Sequence, residues 1–231
     1  MKKKTWKPHV IATAGFMVFG VLALASNCGT TPRSVVPPEV VEDFLWGSSA
    51  GLVTIISYVG MDTSVQVPSE INGMPVARIG ARAFAARRIA DITIPDTVTH
   101  IDEFAFAFND LVSVTIPGNV TQIGNYAFMN NQLASITIPD SVIHIGNGAF
   151  ANNTILTDII IGNGVGFLYE GVFDNSLRHA QISIGANVEL HSSGPSSLVW
   201  TGFRAAYEGN GHRAGVYTLN PNTGQWSWQP R

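Results

Sequence analysis

The sequence predicts a β-rich repeat solenoid with a parallel sheet on one face. Two observations carry this prediction. Short segments alternate apolar and polar residues, and the whole pattern recurs about every 22 residues through the middle of the 231-residue chain. The composition agrees, because 45% hydrophobic residues allow a buried core and 23 glycines favour turns. The same composition, with only 13% charged residues, excludes a disordered chain.

Residues 1–27 are typical of a signal peptide. Lysines near the start precede a 16-residue apolar run, Val10 to Ala25, which is shorter than the ~20 residues of a membrane span. Two processing sites compete. Cleavage after Ala25, at Ala23-Leu24-Ala25, would release a free protein. Residues 25–28 resemble a loose bacterial lipobox instead, and we favour lipid attachment because the only cysteine, Cys28, stands directly after the apolar run.

A tether and then the solenoid are predicted to follow. Residues 28–45 contain three prolines and would form an extended tether between the lipid anchor and the folded domain. Residues 46–191 would form the solenoid, with about five full repeats and a partial sixth that starts at Ile182. The period is clearest in five phenylalanines spaced by 22, 22, 22 and 23 residues, namely Phe84, Phe106, Phe128, Phe150 and Phe173.

Each repeat carries a short strand that ends at a turn. In Ile92-Thr93-Ile94, period-two alternation points the isoleucines to one side and the threonine to the other. Segments 114–116 and 136–138 repeat this pattern, and a proline follows each segment and ends the pairing. One repeat cannot bury its own apolar residues. Successive repeats are therefore expected to stack about 4.8 Å apart, each contacting only its neighbours.

Residues 136–150 read ITIPDSVIHIGNGAF, and this motif resembles the treponemal, or BspA-like, leucine-rich repeats of bacterial surface and periplasmic proteins. The resemblance covers about Val65 to Phe173, roughly half of the chain. It implies a curved leucine-rich-repeat array with a parallel sheet on one face and little regular structure on the other. That family often has cysteine where this chain has Asn109, Asn131 and Asn153. We expect these asparagines to bond turn backbone in the next coil. The alternative is contact with a glycan or another ligand.

Residues 192–231 lose the period and are predicted to form a C-terminal cap. Phe203 to Glu208 suggests a short helix, and Gly215–Leu219 with Gln225–Trp228 suggests a β-hairpin. The open end of a solenoid exposes apolar side chains and a sheet edge, which the large aromatic residues of this segment would cover. The alternative is an aromatic platform that stacks on sugar rings, with Trp226 and Trp228 as its binding residues.

Motifs for catalysis and metal binding are missing from the sequence. It contains no nucleophile elbow, no zinc-protease motif and no phosphate-binding loop. A single cysteine excludes an intrachain disulfide and a cysteine-based zinc cluster. His100 and His144 share one repeat position two coils apart, on the order of 10 Å, which is too far for one zinc ion. We therefore predict no enzymatic activity, no cofactor and no metal site.

The charge distribution excludes one class of partner. Beyond residue 27 the chain has nine arginines, no lysine and 16 acidic residues, a formal net charge of −7. Nucleic acid is a poor ligand for such a protein, because its binding depends on Lys and Arg contacts to phosphate. Four arginines crowd the first repeat, and we interpret them as a solvated edge. The alternative is that Arg87 and Arg88 bind an acidic partner or anionic lipid headgroups.

These observations predict a non-catalytic scaffold of the bacterial envelope, exported to the periplasm or the outer membrane. It would act as an adhesin or an envelope assembly partner by binding a protein through the exposed side of the strands. We call this surface the threonine face. Its two columns are Gln66, Thr93, Thr115, Thr137, Ile160 and Ser183, and Asp91, Ser113, Ser135, Asp158 and Gln181. The alternatives are carbohydrate or envelope-polymer binding by the C-terminal aromatics, and a purely structural envelope protein.

Overall fold

A computed structural model gives the architecture of residues 39–41, 43–177, 181–186, 188–191 and 198–230. The predicted signal peptide, Cys28 and the tether up to residue 38 lie outside these described residues. Within them, the repeats form a stack of turns that we call coils. Each of the first five coils contains one of the phenylalanines named above, and the sixth begins at Gln181.

Strands dominate the described residues. In chain order they are β1 (Glu39–Val41), β2 (Phe44–Ser49), β3 (Leu52–Tyr58), β4 (Ser64–Gln66), β5 (Glu70–Ile71), β6 (Met74–Ile79), β7 (Asp91–Thr93), β8 (His100–Ile101), β9 (Gln122–Ile123), β10 (Ser135–Ile138), β11 (His144–Ile145), β12 (Asp158–Ile161), β13 (Phe167–Tyr169), β14 (Gln181–Ile184), β15 (Glu189–His191), β16 (Gly215–Leu219) and β17 (Trp226–Gln229). A 3₁₀ turn spans Glu170–Phe173, and helix α1 spans Leu198–Gly209.

The predicted parallel sheet forms from the alternating segments, in two pieces. Strand β4 pairs with β7, and further along β10, β12 and β14 pair in parallel order. The register places Gln66 beside Thr93, and Thr137 beside Ile160. Identical pairing positions in successive coils follow from the constant repeat length, so the fold class predicted from the sequence is confirmed.

The third coil interrupts this sheet, which the sequence did not predict. Residues 113–116 form no strand, and their backbone makes no hydrogen bond to the second or fourth coil, both of which are described here. Val114 stands where these coils have isoleucine and is only partly buried, whereas Ile92 and Ile136 are buried. The smaller side chain holds this segment less tightly against the core.

A second sheet lies elsewhere on each coil and corrects the expectation of little regular structure there. Its strand order is β1-β2-β3-β6-β8-β9-β11, and β5 pairs with β6. Strands β13 and β15 form a further parallel pair at the equivalent positions of the last two coils. The two-residue strands β8, β9 and β11 pair in register, so that His100, Gln122 and His144 form one outward column. The two histidines are thus separated by one strand, as the repeat predicted.

The folded domain begins earlier than predicted, at Glu39. Strands β1, β2 and β3 form an antiparallel meander, and β3 then pairs in parallel with β6 of the first coil. Residues 39–41 and 43–45 are therefore part of the folded domain and not of the tether, and residues 46–58 are not a repeat. The reason is burial: Phe44 and Tyr58 pack against Phe84, with ring centroids 6.3 and 5.6 Å away.

Two buried ladders run through the coils. The phenylalanine rings stack in sequence with centroids 5.1, 5.1, 5.4 and 5.7 Å apart. Beside them, the buried asparagines tie the coils together. Asn131 Nδ2 donates to the carbonyls of Phe106 and Phe128, each at 3.0 Å, and its Oδ1 accepts from Leu111 N–H. The bond to Phe106 runs to the preceding coil rather than the next one, and the bond to Phe128 is local. These bonds serve a structural role because they satisfy backbone groups that are buried.

The predicted C-terminal hairpin cap is confirmed. Strand β16 pairs antiparallel with β14, and β17 pairs with β16, so the hairpin extends the first sheet. Helix α1 covers the hairpin through Phe203 and Tyr207, which are buried. The Tyr207 hydroxyl donates to Gly185 O and accepts from Val188 N–H, both at 2.9 Å, and so links the cap to the sixth coil.

Candidate functional site

The threonine face is exposed almost throughout. Both predicted columns reach solvent, and Ile160 alone among the first column is a large apolar residue, 40% exposed. Ser183 is the exception, at 7% exposed, because it lies between Ile160 on β12 and Val216 on β16 in the register of the sheet. Its hydroxyl has no hydrogen-bond partner among the described residues. We therefore remove Ser183 from the accessible part of the face.

A groove of about 370 Å³ crosses the middle of the threonine face. It lies where the first sheet is interrupted. Ser113, Val114 and Thr115 of the third coil and Ser135, Thr137 and Pro139 of the fourth coil contribute to its lining. None of these side chains is charged. The groove joins the two strand-paired halves of the face and gives an otherwise flat surface a place where a partner's side chain can insert.

Charges on the threonine face are few and are already engaged locally. Asp91 accepts a hydrogen bond from the Ser64 hydroxyl at 3.0 Å, and Asp158 accepts one from the Thr157 hydroxyl at 2.6 Å. Both carboxylates lie in the second column, in the coils on either side of the groove, and neither lines it. The centre of the face therefore presents small neutral groups only.

The arginines of the first repeat do not act as one patch. Arg78 forms a salt bridge with Asp102 at 2.8 Å, and the Arg82 guanidinium lies over the Phe104 ring, 5.2 Å from its centroid. Arg87 and Arg88 are exposed and line a separate cavity of about 510 Å³, together with Asp110. One aspartate beside two arginines leaves this cavity weakly basic, so the crowding seen in the sequence divides into three different environments.

Trp226 and Trp228 contribute to packing within the cap. Both indoles are partly buried and pack against the core, and the Trp226 ring lies 5.2 Å from that of Phe203. The Trp228 indole lies so close to Gly215 that a side chain there would overlap it. This geometry favours the cap interpretation over an exposed sugar-stacking platform.

Titratable side chains are sparse and dispersed. Burial, with the nearby Arg78 charge as a second cause, lowers the pKa of His100 below its ordinary value, and Asp102 opposes this shift. No three His, Cys, Asp or Glu side chains come together to hold a metal ion in the part of the chain that the structure covers. In the same part, no helix has the length and apolar character needed to cross a membrane.

Sequence reasoning missed a second concave surface, on the outer side of the second sheet. It lies beside the column of His100, Gln122 and His144, and its volume is about 390 Å³. The signal available in the sequence was the glycine that follows the second-sheet strand of the third and fourth coils, Gly124 and Gly146, where a side chain would collide with the backbone of the preceding coil. Without knowledge of the second-sheet strands β9 and β11, these glycines indicate only a turn.

Comparison with known proteins places the chain among leucine-rich-repeat proteins. The family described as the BspA type leucine-rich repeat region matches residues 77–193, in six copies. The fold is similar to that of a leucine-rich-repeat protein from Treponema pallidum, with a TM-score of 0.51 and 23% identity, covering 69% of this chain and 85% of that one.

Two further crystal structures are less similar. A leucine-rich-repeat protein from Bacteroides ovatus has a TM-score of 0.42 and 19% identity, covering 59% of this chain and 50% of that one. The pneumococcal vaccine antigen PcpA has a TM-score of 0.47 and 18% identity, covering 66% of this chain and 38% of its own. No curated protein sequence matches this chain significantly.

Proposed function

This chain belongs to the BspA-type leucine-rich-repeat family, and we propose that it is a binding scaffold of the bacterial envelope that holds a protein partner on its threonine face. Leucine-rich-repeat arrays are typical of protein-interaction proteins and are generally non-catalytic. Proteins of this family are typically surface or exported bacterial proteins. The partner, the face it uses and the attachment to a membrane are the parts that we add.

One observation carries the choice of surface. The threonine face combines small uncharged side chains with a groove at its centre, at Thr115 and Thr137. The centres of protein interfaces are depleted of charged residues, and the strongest contacts there are side chains that fill pockets on the partner. A partner that lies across the coils would therefore lose little charge hydration and could insert a side chain into the groove.

The threonine face is tested by a triple substitution, Thr93→Glu, Thr115→Glu and Thr137→Glu. A partner that covers this face would bury the three introduced carboxylates, and they would have to lose their hydration. The partners captured from envelope extract should therefore be lost. All three side chains are exposed, so the thermal unfolding curve should stay nearly unchanged. The matched control places the same three charges in the hairpin turn, as Asn222→Glu, Thr223→Glu and Gln225→Glu, and should retain the partners.

The rival surface is the arginine pair. If Arg87 and Arg88 hold an acidic partner, the variant Arg87→Glu with Arg88→Glu loses binding, and binding weakens strongly with added salt. The threonine variant would then retain it. If the threonine variant still captures the same partners and the arginine variant does not, the threonine face is rejected and the arginine pair is the binding surface.

Attachment through Cys28 is the remaining part of the proposal. Its support is the position of the only cysteine directly after the apolar run. Replacing Cys28 with alanine should move the protein from the detergent phase to the aqueous phase and should abolish labelling by radioactive palmitate. Absence of label on the unaltered protein would instead favour cleavage after Ala25.

A further inference from the structure

The surface beside the second sheet is a bounded trough. It borders Gly124 of the third coil, whose lack of a side chain lets the backbone of Asp102 and Glu103 in the second coil approach closely. The lining continues to Arg78 on one side and to His144 on the other. The trough has a volume of about 390 Å³, which is within the range of ligand sites.

Hydrogen-bonding groups line the trough and are not used inside the protein. The side chains of Gln122, His144 and Glu103 line it, and none of them forms a hydrogen bond to another residue that the structure describes. Asn125 also lines it, and its Oδ1 accepts from Asn147 N–H at 2.9 Å, which leaves the amide Nδ2 to donate. Amide, imidazole and carboxylate groups of three successive coils together offer both donors and acceptors.

An aromatic cluster adjoins the trough at His144. The His144 ring meets Phe167 edge to face, with centroids 5.9 Å apart. Phe167 in turn contacts Tyr169 at 5.5 Å and His191 at 5.9 Å. Phe167 and Tyr169 are only partly buried. The line of polar groups therefore ends at a patch of aromatic rings that extends toward the sixth coil.

The local charge is close to zero. The salt bridge to Asp102 neutralises Arg78, and it holds both groups at one end of the trough. Glu103 is the remaining acidic group in the lining. Neither a polyanion nor a polycation gains much electrostatic attraction here, whereas a neutral ligand rich in hydroxyl groups meets matching donors and acceptors.

We propose that this trough binds a neutral oligosaccharide. A sugar ring has hydroxyl groups at its rim, which suit Gln122, Asn125 and Glu103, and apolar C–H faces, which suit an aromatic side chain. Coils about 4.8 Å apart repeat the polar groups along the trough at a spacing comparable to that of successive sugar units. This site is separate from the threonine face, so either proposal can fail without the other.

The test uses three neutral probes, namely chitotriose, maltotriose and cellotriose, titrated into the purified full chain and followed by saturation-transfer NMR and calorimetry. At least one should bind. The double variant Gln122→Ala with His144→Ala should weaken that binding roughly tenfold or more, since it removes two hydrogen-bonding side chains. Binding of none of the three probes would overturn the proposal.

Two controls locate the site. Gln122→Trp keeps a strand-forming residue at an exposed position but fills the trough, so it should block binding while the protein remains folded. The triple glutamate variant of the threonine face should bind the sugar unchanged. Sugar binding that survives Gln122→Trp would place the ligand elsewhere and reject the trough, as would competition by a polyanion such as polyphosphate.

Discussion

The two ends of the solenoid are closed by different means. At the N-terminal end, β1, β2 and β3 extend the second sheet, and Tyr58 continues the stack of phenylalanine rings beyond Phe84. At the C-terminal end, β16 and β17 extend the first sheet instead, and Phe173 has a ring neighbour only on the Phe150 side among the described residues. Each cap thus covers the sheet that the other leaves open.

Each of the two sheets therefore has one end to which no cap strand is added. In the described chain, β4 pairs only with β7 at the N-terminal end of the first sheet, and β15 pairs only with β13 at the other end of the second. Both free strands are three residues long. Short edge strands offer little backbone for pairing with another chain. A solenoid with two sheets can therefore close each end with a single cap and leave only a short edge beside it.

The largest expected effect separates the two ends of the phenylalanine stack. Phe128→Ala and Phe84→Ala should each lower the free energy of unfolding by about 3–5 kcal/mol, because both rings are buried and have aromatic neighbours on both sides along the stack. Phe173→Ala should cost less, because it removes one stacking contact instead of two. Urea unfolding of the three variants measures the difference. Equal losses at Phe84 and Phe173 would contradict the contrast between the ends.

Substitutions in the asparagine ladder should also cost more stability in the middle of the solenoid than at its C-terminal end, but by a smaller amount. Asn131→Ala leaves the Leu111 N–H and the Phe106 carbonyl buried without this partner, at a cost of about 1–3 kcal/mol. Ser176 holds the ladder position of the fifth coil and donates to Phe150 O at 2.9 Å. Ser176→Ala should cost less, since a hydroxyl makes fewer bonds there than an amide. Thermal unfolding of both variants would show it, and a larger loss at Ser176 would be inconsistent with this explanation.

The caps also differ in how far the sequence predicts them. The C-terminal hairpin was predictable because Gly215–Leu219 alternates and a turn rich in Asn, Pro and Gly follows it. The N-terminal meander was not, because its strands fall outside the repeat period and directly follow a proline-rich segment. The packing of Phe44 and Tyr58 on Phe84, together with the pairing of β3 with β6, identifies it as a cap. Period-based reasoning recognises repeats and fails for the elements that end them.

The candidate surfaces follow the same rule. Exposure of Thr93 and Thr137 was predictable from two-residue alternation, which is a local property of the chain. The burial of Ser183 was not, because it depends on pairing with β16 from far along the chain. The second sheet escaped prediction because two-residue strands such as His100–Ile101 are too short to show a pattern. They pair only because equal coils hold them in register.

The hydroxyl groups of the two capping tyrosines provide a matched comparison of the ends. Tyr207 donates to Gly185 O and accepts from Val188 N–H, both at 2.9 Å, whereas the Tyr58 hydroxyl reaches Asp62 N and O at 3.1 and 3.4 Å. Tyr207→Phe should therefore lower stability by about 1–2 kcal/mol, and Tyr58→Phe by less. Differential scanning calorimetry measures both. A larger effect of Tyr58→Phe would show that its loop contact fixes the N-terminal cap.

The smallest expected difference concerns pH and belongs to the N-terminal side, where His100 on β8 neighbours Arg78 on β6. Burial and the Arg78 charge lower the pKa of His100, and Asp102 acts against them. Below an ordinary histidine pKa of about 6.5 the unfolded chain binds the proton more readily, so this group favours unfolding as the pH falls toward its folded pKa.

The substitution His100→Gln reproduces the residue that the third coil has in the same column, Gln122. It should flatten the dependence of stability on pH just below about 6.5, because no proton is then taken up at this position on unfolding. Arg78→Gln should reduce the dependence in part, since burial remains. Urea midpoints measured through this range decide the matter. If His100→Gln leaves the slope of stability against pH unchanged, the acid sensitivity belongs to another residue. Any difference in pH response between the two ends of the stack would then also have to come from that residue.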